Sequence, residues 1–300
     1  MTAIIKQVPG YVFLCGLILS GLFAYYPNQP NQKNNPYKQI RIPLDIKNGV
    51  PFSKDIQGGG YYTEGFDIDS NGNYYFLGGR NATLACFSKY GAPIFRKTYL
   101  NLAPAQICIV GGKLFFFEIG QKGLNTLVEI DKSNGLFIDK YSKTIATALK
   151  EFGCKSIRYY SYGDSSLGII CADSQNEDDT KALCFSFKGK LLSNCNTSVS
   201  AAVQNDKSYG YLGKLGDKYV VGKFDDDGKK YDLSLRDSLN ATIADAFLER
   251  KFLGEALPGD IQYILPEHIR VRYNKLYTLY RDKNMAVITE VDLANIFHIK

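Results

Sequence analysis

Residues 65–77 read Gly65-Phe66-Asp67-Ile68-Asp69-Ser70-Asn71-Gly72-Asn73-Tyr74-Tyr75-Phe76-Leu77. Apolar and polar residues alternate on the way in, and an aromatic run leads out. Between them Asn71-Gly72 supplies residues that tolerate positive φ, which a tight hairpin turn requires. The stretch therefore predicts two antiparallel strands joined by a turn.

The same pattern recurs along the chain. Residues 106–118 (QICIVGGKLFFFE) turn at Gly111-Gly112, and 157–171 (IRYYSYGDSSLGIIC) at Gly163-Asp164. Residues 209–222 (YGYLGKLGDKYVVG) turn at Gly216-Asp217, and 268–280 (HIRVRYNKLYTLY) near Asn274. These turns lie roughly 40 to 57 residues apart, the period of a four-stranded propeller blade. A second hairpin follows in the first three copies, at Tyr90-Gly91, Asn134-Gly135 and Lys188-Gly189. The fourth copy reads as abbreviated, turning at Asp227-Gly228. The expected fold is all-β: a single β-propeller of five or six blades over residues 37–300. The stretch 38–54 (KQIRIPLDIKNGVPFSK) reads as a hairpin around Asn48-Gly49, with Pro43 and Pro51 suited to an edge. It is expected to supply the outer strand that completes the last blade, since an open ring leaves exposed edges. In 238–254, Leu239, Ile243, Ala246, Phe247 and Leu253 fall near helical spacing between Ser238 as N-cap and Gly254 beyond the C-terminus. That predicts a short helical insert.

Composition agrees with strands. The aromatic load is 22 Tyr and 18 Phe with no Trp, and Tyr and Phe suit pleated, half-buried surfaces. Net charge is +6 without a run of five like charges, so no nucleic-acid partner is expected. Only two histidines occur, His268 and His298, which excludes a three-His zinc site.

The N-terminus differs in kind. Residues 11–26 (YVFLCGLILSGLFAYY) are uncharged and follow Lys6. This is a basic start with an apolar core, a signal peptide or an uncleaved signal anchor. Counted from Val8, the segment approaches the roughly 20 residues that span a bilayer as a helix. Residues 27–36 (PNQPNQKNNP) hold no hydrophobic side chain and predict an extended linker. The expected organisation is a membrane segment over 1–26, a linker over 27–36 and an exported domain. That domain would be periplasmic or extracellular, anchored through residues 8–26 if the segment is retained.

The segment from Glu64 to Phe76 is similar to blades of NHL-type propellers, which join an apolar-Asp-x-Asp strand end to a Gly-Asn turn and an aromatic strand. It also resembles the opening of the SMP-30/gluconolactonase family, in which an early Glu before Gly ligates a divalent metal. That resemblance implies a ligand role for Glu64. The partner ligands that family needs from later blades have no recognisable counterpart in this sequence.

From the residues themselves, Asp67-Ile68-Asp69-Ser70-Asn71-Gly72 fits the front half of a calcium loop, but the twelfth position is Gly78 where a bidentate Glu belongs. A hairpin turn with Asx hydrogen bonds explains the same residues. The metal candidates are thus Glu64, Asp67 and Asp69, with calcium the divalent ion in question. No other cofactor and no catalytic residue is expected, because no nucleophile, P-loop or dinucleotide motif occurs. Beyond the apolar segment lie Cys86, Cys108, Cys154, Cys171, Cys184 and Cys195, with no C-x-x-C. An even count fits an oxidising compartment. In a symmetric hairpin Cys171 and Cys184 would face each other, which makes them the disulfide candidate. Three function classes follow: a non-catalytic binding or scaffold propeller displayed outside the cytoplasm, with a protein or glycan partner; a metal-dependent, lactonase-like hydrolase using the propeller pore; and a structural part of an envelope or secretion assembly. The first is the expectation.

Overall fold

The computed structural model describes residues 37–299, apart from 46, 52, 55–60, 63–64, 79–81, 101–103, 119–125, 141–146, 148–150, 152–153, 164–167, 175–179, 186–192, 195–209, 225–229, 250–268 and 283. The expected membrane segment and linker lie outside the described residues, as do Asp164 and the turns at Lys188-Gly189 and Asp227-Gly228.

Among the described residues, five four-stranded antiparallel sheets follow one another. The first holds β4 (Gly65–Ile68), β5 (Tyr74–Gly78), β6 (Thr83–Phe87) and β7 (Pro93–Thr98). The second holds β8 (Pro104–Val110), β9 (Lys113–Glu118), β10 (Thr126–Ile130) and β11 (Phe137–Lys140). The third holds β12 (Cys154–Gly163), β13 (Gly168–Ser174), β14 (Thr180–Phe185) and β15 (Ser193–Asn194). The fourth holds β16 (Gly210–Leu215), β17 (Lys218–Phe224), β18 (Lys230–Arg236) and β19 (Thr242–Glu249). The last holds β20 (Ile269–Arg272), β21 (Lys275–Asp282) and β22 (Met285–Asp292), and β1 (Tyr37–Pro43) pairs antiparallel with β22 from the other end of the chain. A two-stranded ribbon, β2 (Ser53–Lys54) with β3 (Tyr61–Tyr62), precedes the first sheet.

The sheets are arranged as a propeller. Strand β8 lies beside β4 and β12, and β16 lies beside β12 and β20. Strand β20 returns to β4 through Arg272 and Asp67. The burial pattern of β5 shows why the sequence chooses this packing. Tyr74 and Phe76 enter a core shared with the last sheet, including Tyr277, Leu279 and Ile288. Tyr75 and Leu77 enter a core shared with the second sheet, including Ile107, Leu114 and Phe116. Alternate side chains point to opposite faces of a strand, so a strand apolar at every position must be covered on both sides. A propeller covers it with a neighbouring sheet on each side. Ile269 and Val271 likewise turn to a third core with Leu212, Val220 and Leu233.

Strand β1 closes the ring as expected, with Ile40 and Ile42 buried in the first of these cores. The stretch around Asn48-Gly49 is a tight turn rather than a hairpin. There Gly49 N–H donates to Asp45 O and Val50 N–H to Pro43 O, and Leu44 and Val50 form a parallel bridge.

The helical insert expected over 238–254 is overturned where the chain is described. Residues 242–249 form strand β19, in register with β18. The fourth sheet is therefore full-length, and its outer hairpin turns at Asp237–Ala241. Side-chain spacing near 3.6 loses here because the outer edge of β18 offers an unpaired backbone ladder. Pairing and context override intrinsic preference in such short segments. A single-turn helix, α1 (Leu293–Phe297), follows β22 and is capped by Asp292, whose carboxylate accepts from Ala294 N–H.

Cys86 is buried in the core between the first two sheets. Burial, opposed in part by a hydrogen bond with Tyr75 and reinforced by the charge of Asp69, pushes its thiol up to about 12. The folded state thus holds the thiol proton more tightly than the unfolded chain. Its stabilisation is complete below the ordinary thiol value and is lost as pH climbs toward 12. Native protein treated with iodoacetamide at about pH 8 should leave Cys86 unmodified, because the thiolate is the reactive form. Mass spectrometry showing rapid labelling without denaturant would refute this.

Candidate functional site at the ring seam

Where the last sheet meets the first, two hairpin turns face each other. The turn after β4 is built on Asp69. Its Oδ1 accepts from Asn71 N–H and Asn73 N–H, both at 2.9 Å, and its Oδ2 accepts from Asn73 Nδ2 and Tyr75 Oη at 3.0 Å. Gly72 takes the positive φ of 79° that the turn demands. The same five-residue device recurs at Ser88, whose Oγ accepts from Tyr90 N–H and Ala92 N–H, with Gly91 at φ 83°. It recurs again at Asp237, whose Oδ1 accepts from Leu239 N–H and Ala241 N–H, with Asn240 at φ 66°. The pattern is a short polar acceptor, two free positions, then Gly or Asn. It was available in the sequence at Asp237-Ser238-Leu239-Asn240 and marks that hairpin, which apolar spacing alone concealed.

Asp67 lies deeper, fully buried on β4. Its Oδ1 accepts from Ile68 N–H at 2.8 Å, and its Oδ2 accepts from Ile109 N–H on β8 and from Arg272 Nη2 on β20, both at 2.7 Å. One carboxylate thus ties three successive inner strands together. Arg270, two residues before Arg272, lies with its guanidinium carbon 5.8 Å from the centre of the Phe66 ring, a cation–π approach across the same seam. Sequence reasoning missed both arginines, since nothing in IRVR announces that alternate positions meet an aspartate and an aromatic ring from the far end of the chain.

Among the metal candidates, Glu64 lies outside the described residues, and Asp67 and Asp69 hold the protein donors just given. No group of three His, Cys, Asp or Glu side chains is placed to hold a metal among the described residues. The backbone register pairs Cys171 with Ala182 and Cys184 with Ile169. The hairpin is therefore offset from the symmetric one, and the two cysteines take diagonal rather than opposed positions.

Above the Asp69 turn lies a cleft of about 230 Å³ lined by both sides of the seam. Tyr74 and Tyr277 form its floor in an edge-to-face pair with ring centres 6.4 Å apart. Burial first, then the charge of Glu290, raises both phenols above their ordinary value. Glu290 is engaged by two ammonium groups, Lys275 Nζ in close contact and Lys38 Nζ at 3.7 Å. Lys89 stands on the opposite wall, its Nζ 5.1 Å from the Tyr90 ring centre. Tyr273 and Ser70 line the cleft from the two sides of the seam, and burial first, then the charge of Asp67, raises the Tyr273 phenol above its ordinary value.

No protein family and no curated protein matches the chain. Among solved structures it is similar to the Dos1 propeller, at 12% identity and a TM-score of 0.34, over 82% of this chain and 59% of that one. It is similar to virginiamycin B lyase from Staphylococcus aureus, at 10% identity and a TM-score of 0.36, over 85% of this chain and 99% of that one. It is also similar to a member of the DUF4221 family from Bacteroides vulgatus, at 11% identity and a TM-score of 0.42, over 84% and 95% of the two chains. These similarities accompany the propeller arrangement already set out by strand pairing and burial. The NHL-type and gluconolactonase features of the first sheet stay a resemblance of sequence.

Proposed function

We propose that this chain is a non-catalytic binding or scaffold propeller of five blades, displayed outside the cytoplasm and held to the membrane by residues 8–26. The observation that carries the non-catalytic part is the state of Asp67 and Asp69. Their oxygens accept from backbone amides, Arg272, Asn73 and Tyr75. A carboxylate so saturated holds a fold together and is poorly placed to bind a metal or move a proton. A ring of sheets with hairpin turns at its face is a rigid platform for recognition. The partner is a protein or a glycan. Display outside the cytoplasm is supported by the apolar segment, Lys6 before it and the polar linker after it. A reporter that is active only in oxidising compartments, fused after Lys300, should be active in intact cells. Activity confined to a reporter that works only in the cytoplasm would refute the display.

A further inference from the structure

We propose that the seam cleft binds an acidic saccharide, one pyranose ring bearing a carboxylate; this deepens the binding reading above and rests on it. Charge comes first. The cleft is lined by Lys38, Lys89 and Lys275 against Glu290 and Asp69, three formal positive charges against two negative. Asp69 is almost fully buried and committed to its turn, so it does not compete for a ligand. The single charge of Glu290 is shared by Lys38 and Lys275. Lys89 has no carboxylate partner among the described residues. The surplus is one positive charge, which selects a monoanion over a cation.

The donors decide which anion. Phosphate sites characteristically offer loop amides in a nest or a forked guanidinium. Here the loop amides are already engaged: Asn71 and Asn73 N–H donate to the Asp69 side chain, and Gly72 N–H to Asp69 O. No arginine lines the cleft among the described residues. What remains is lysine ammonium groups for a carboxylate, and the hydroxyls of Ser70 and Tyr273 for a polyol.

Tyr273 supplies the aromatic wall. It is 43% exposed and sits at φ 51°, followed by Asn274 at φ 61°. These are the two central residues of the β20–β21 hairpin, in which Arg272 pairs with Lys275, and positive φ at both is what a two-residue type I′ turn requires. The turn sets a phenol ring at the mouth of the cleft, where the C–H face of a sugar can pack against its electron-rich face. The volume of about 230 Å³ is below the roughly 300–1,000 Å³ of sites for drug-sized ligands, so the cleft takes one ring.

The test titrates the full-length protein in detergent micelles with glucuronate, glucose and inorganic phosphate, followed by ligand-observed NMR. Glucuronate is expected to bind with a Kd on the order of millimolar, with glucose and phosphate weaker by at least about tenfold. Lys89→Glu and Tyr273→Gly should each weaken glucuronate by at least about tenfold without lowering the melting temperature. The glycine accepts the positive φ, so loss of binding there reports the ring and not the backbone. Equal binding of glucose, tighter binding of phosphate, no saturable glucuronate signal, or full affinity in both variants would each overturn the proposal. Adding a glucuronide to the same sample separates the two readings. Its hydrolysis would refute the non-catalytic reading and leave the ligand class standing, whereas absent binding without hydrolysis would refute the ligand class alone.

Discussion

Replacing Asp67 with Ala should lower the free energy of unfolding by about 3–5 kcal/mol, the range for removing one partner of a buried ion pair. Arg272 is 2% exposed at its side chain and would be left charged in the seam. Ile109 N–H on β8 would lose its acceptor as well, and a buried unsatisfied donor costs about 1–3 kcal/mol. These terms share one carboxylate and are not additive. The cost is expected to fall on closure, because Asp67 bonds the inner strands of the last, first and second sheets. Asp67→Asn should be milder at Ile109, since an amide oxygen can still accept, yet it leaves Arg272 without its counter-charge. Pairing Asp67→Leu with Arg272→Met should recover most of the loss, because a hydrophobic pair of similar volume often replaces a buried ion pair without penalty. Equilibrium urea unfolding of the three variants decides it. A loss under about 1 kcal/mol in Asp67→Ala would show that the seam does not depend on this bond.

Much of the ring was legible because its signals are local. Positive-φ residues sit at Gly72, Gly91, Gly111, Gly112, Gly135 and Gly216, where Gly and Asn mark tight turns in the sequence. The edge role of the 38–54 stretch was legible for the same reason, since prolines and alternation mark an outer strand. The fourth outer hairpin was not. Asn240 does there what glycine does in the other turns, and the β19 side chains Ile243, Asp245 and Phe247 are exposed while Leu248 is buried. Burial does alternate along β19, with Ala244, Ala246 and Leu248 turned inward, but Ile243 and Phe247 stand on the outward face, so apolar and polar residues do not alternate in the sequence. The seam was illegible for a further reason. Asp67 meets Arg272, and Lys38 meets Glu290, across separations longer than two hundred residues. No periodicity carries such a pairing. It becomes visible only once β1 is known to pair with β22.

Removing the apolar contribution of β1 should be the second large effect. Ile40 and Ile42 are 6% and 1% exposed and insert into the core shared by the last and first sheets, against residues that include Phe66, Phe76 and Ile288. Truncating a buried isoleucine to alanine removes its transfer free energy and leaves a cavity, about 2–5 kcal/mol at each site. The two positions lie on one face of the strand and share neighbours, so the double variant should lose less than the sum. Against a total stability of about 5–15 kcal/mol for a folded domain, Ile40→Ala with Ile42→Ala should leave the ring close to its unfolding midpoint without denaturant. Arg41 is the internal control. It points outward from between them, its guanidinium meets Asp282 at the surface, and 43% of its side chain is exposed. Exposed pairs of this kind are worth about 1 kcal/mol or less, so Arg41→Ala should barely shift the urea midpoint. The contrast also reaches the cleft. Lys38 is held opposite Glu290 by the same strand, whose register sets Lys38 against Glu290 and Ile40 against Ile288. A β1 loosened by Ile42→Ala should therefore weaken glucuronate as well as stability, whereas Arg41→Ala should change neither. Equal urea midpoints for Ile42→Ala and Arg41→Ala would mean that β1 does not close the ring.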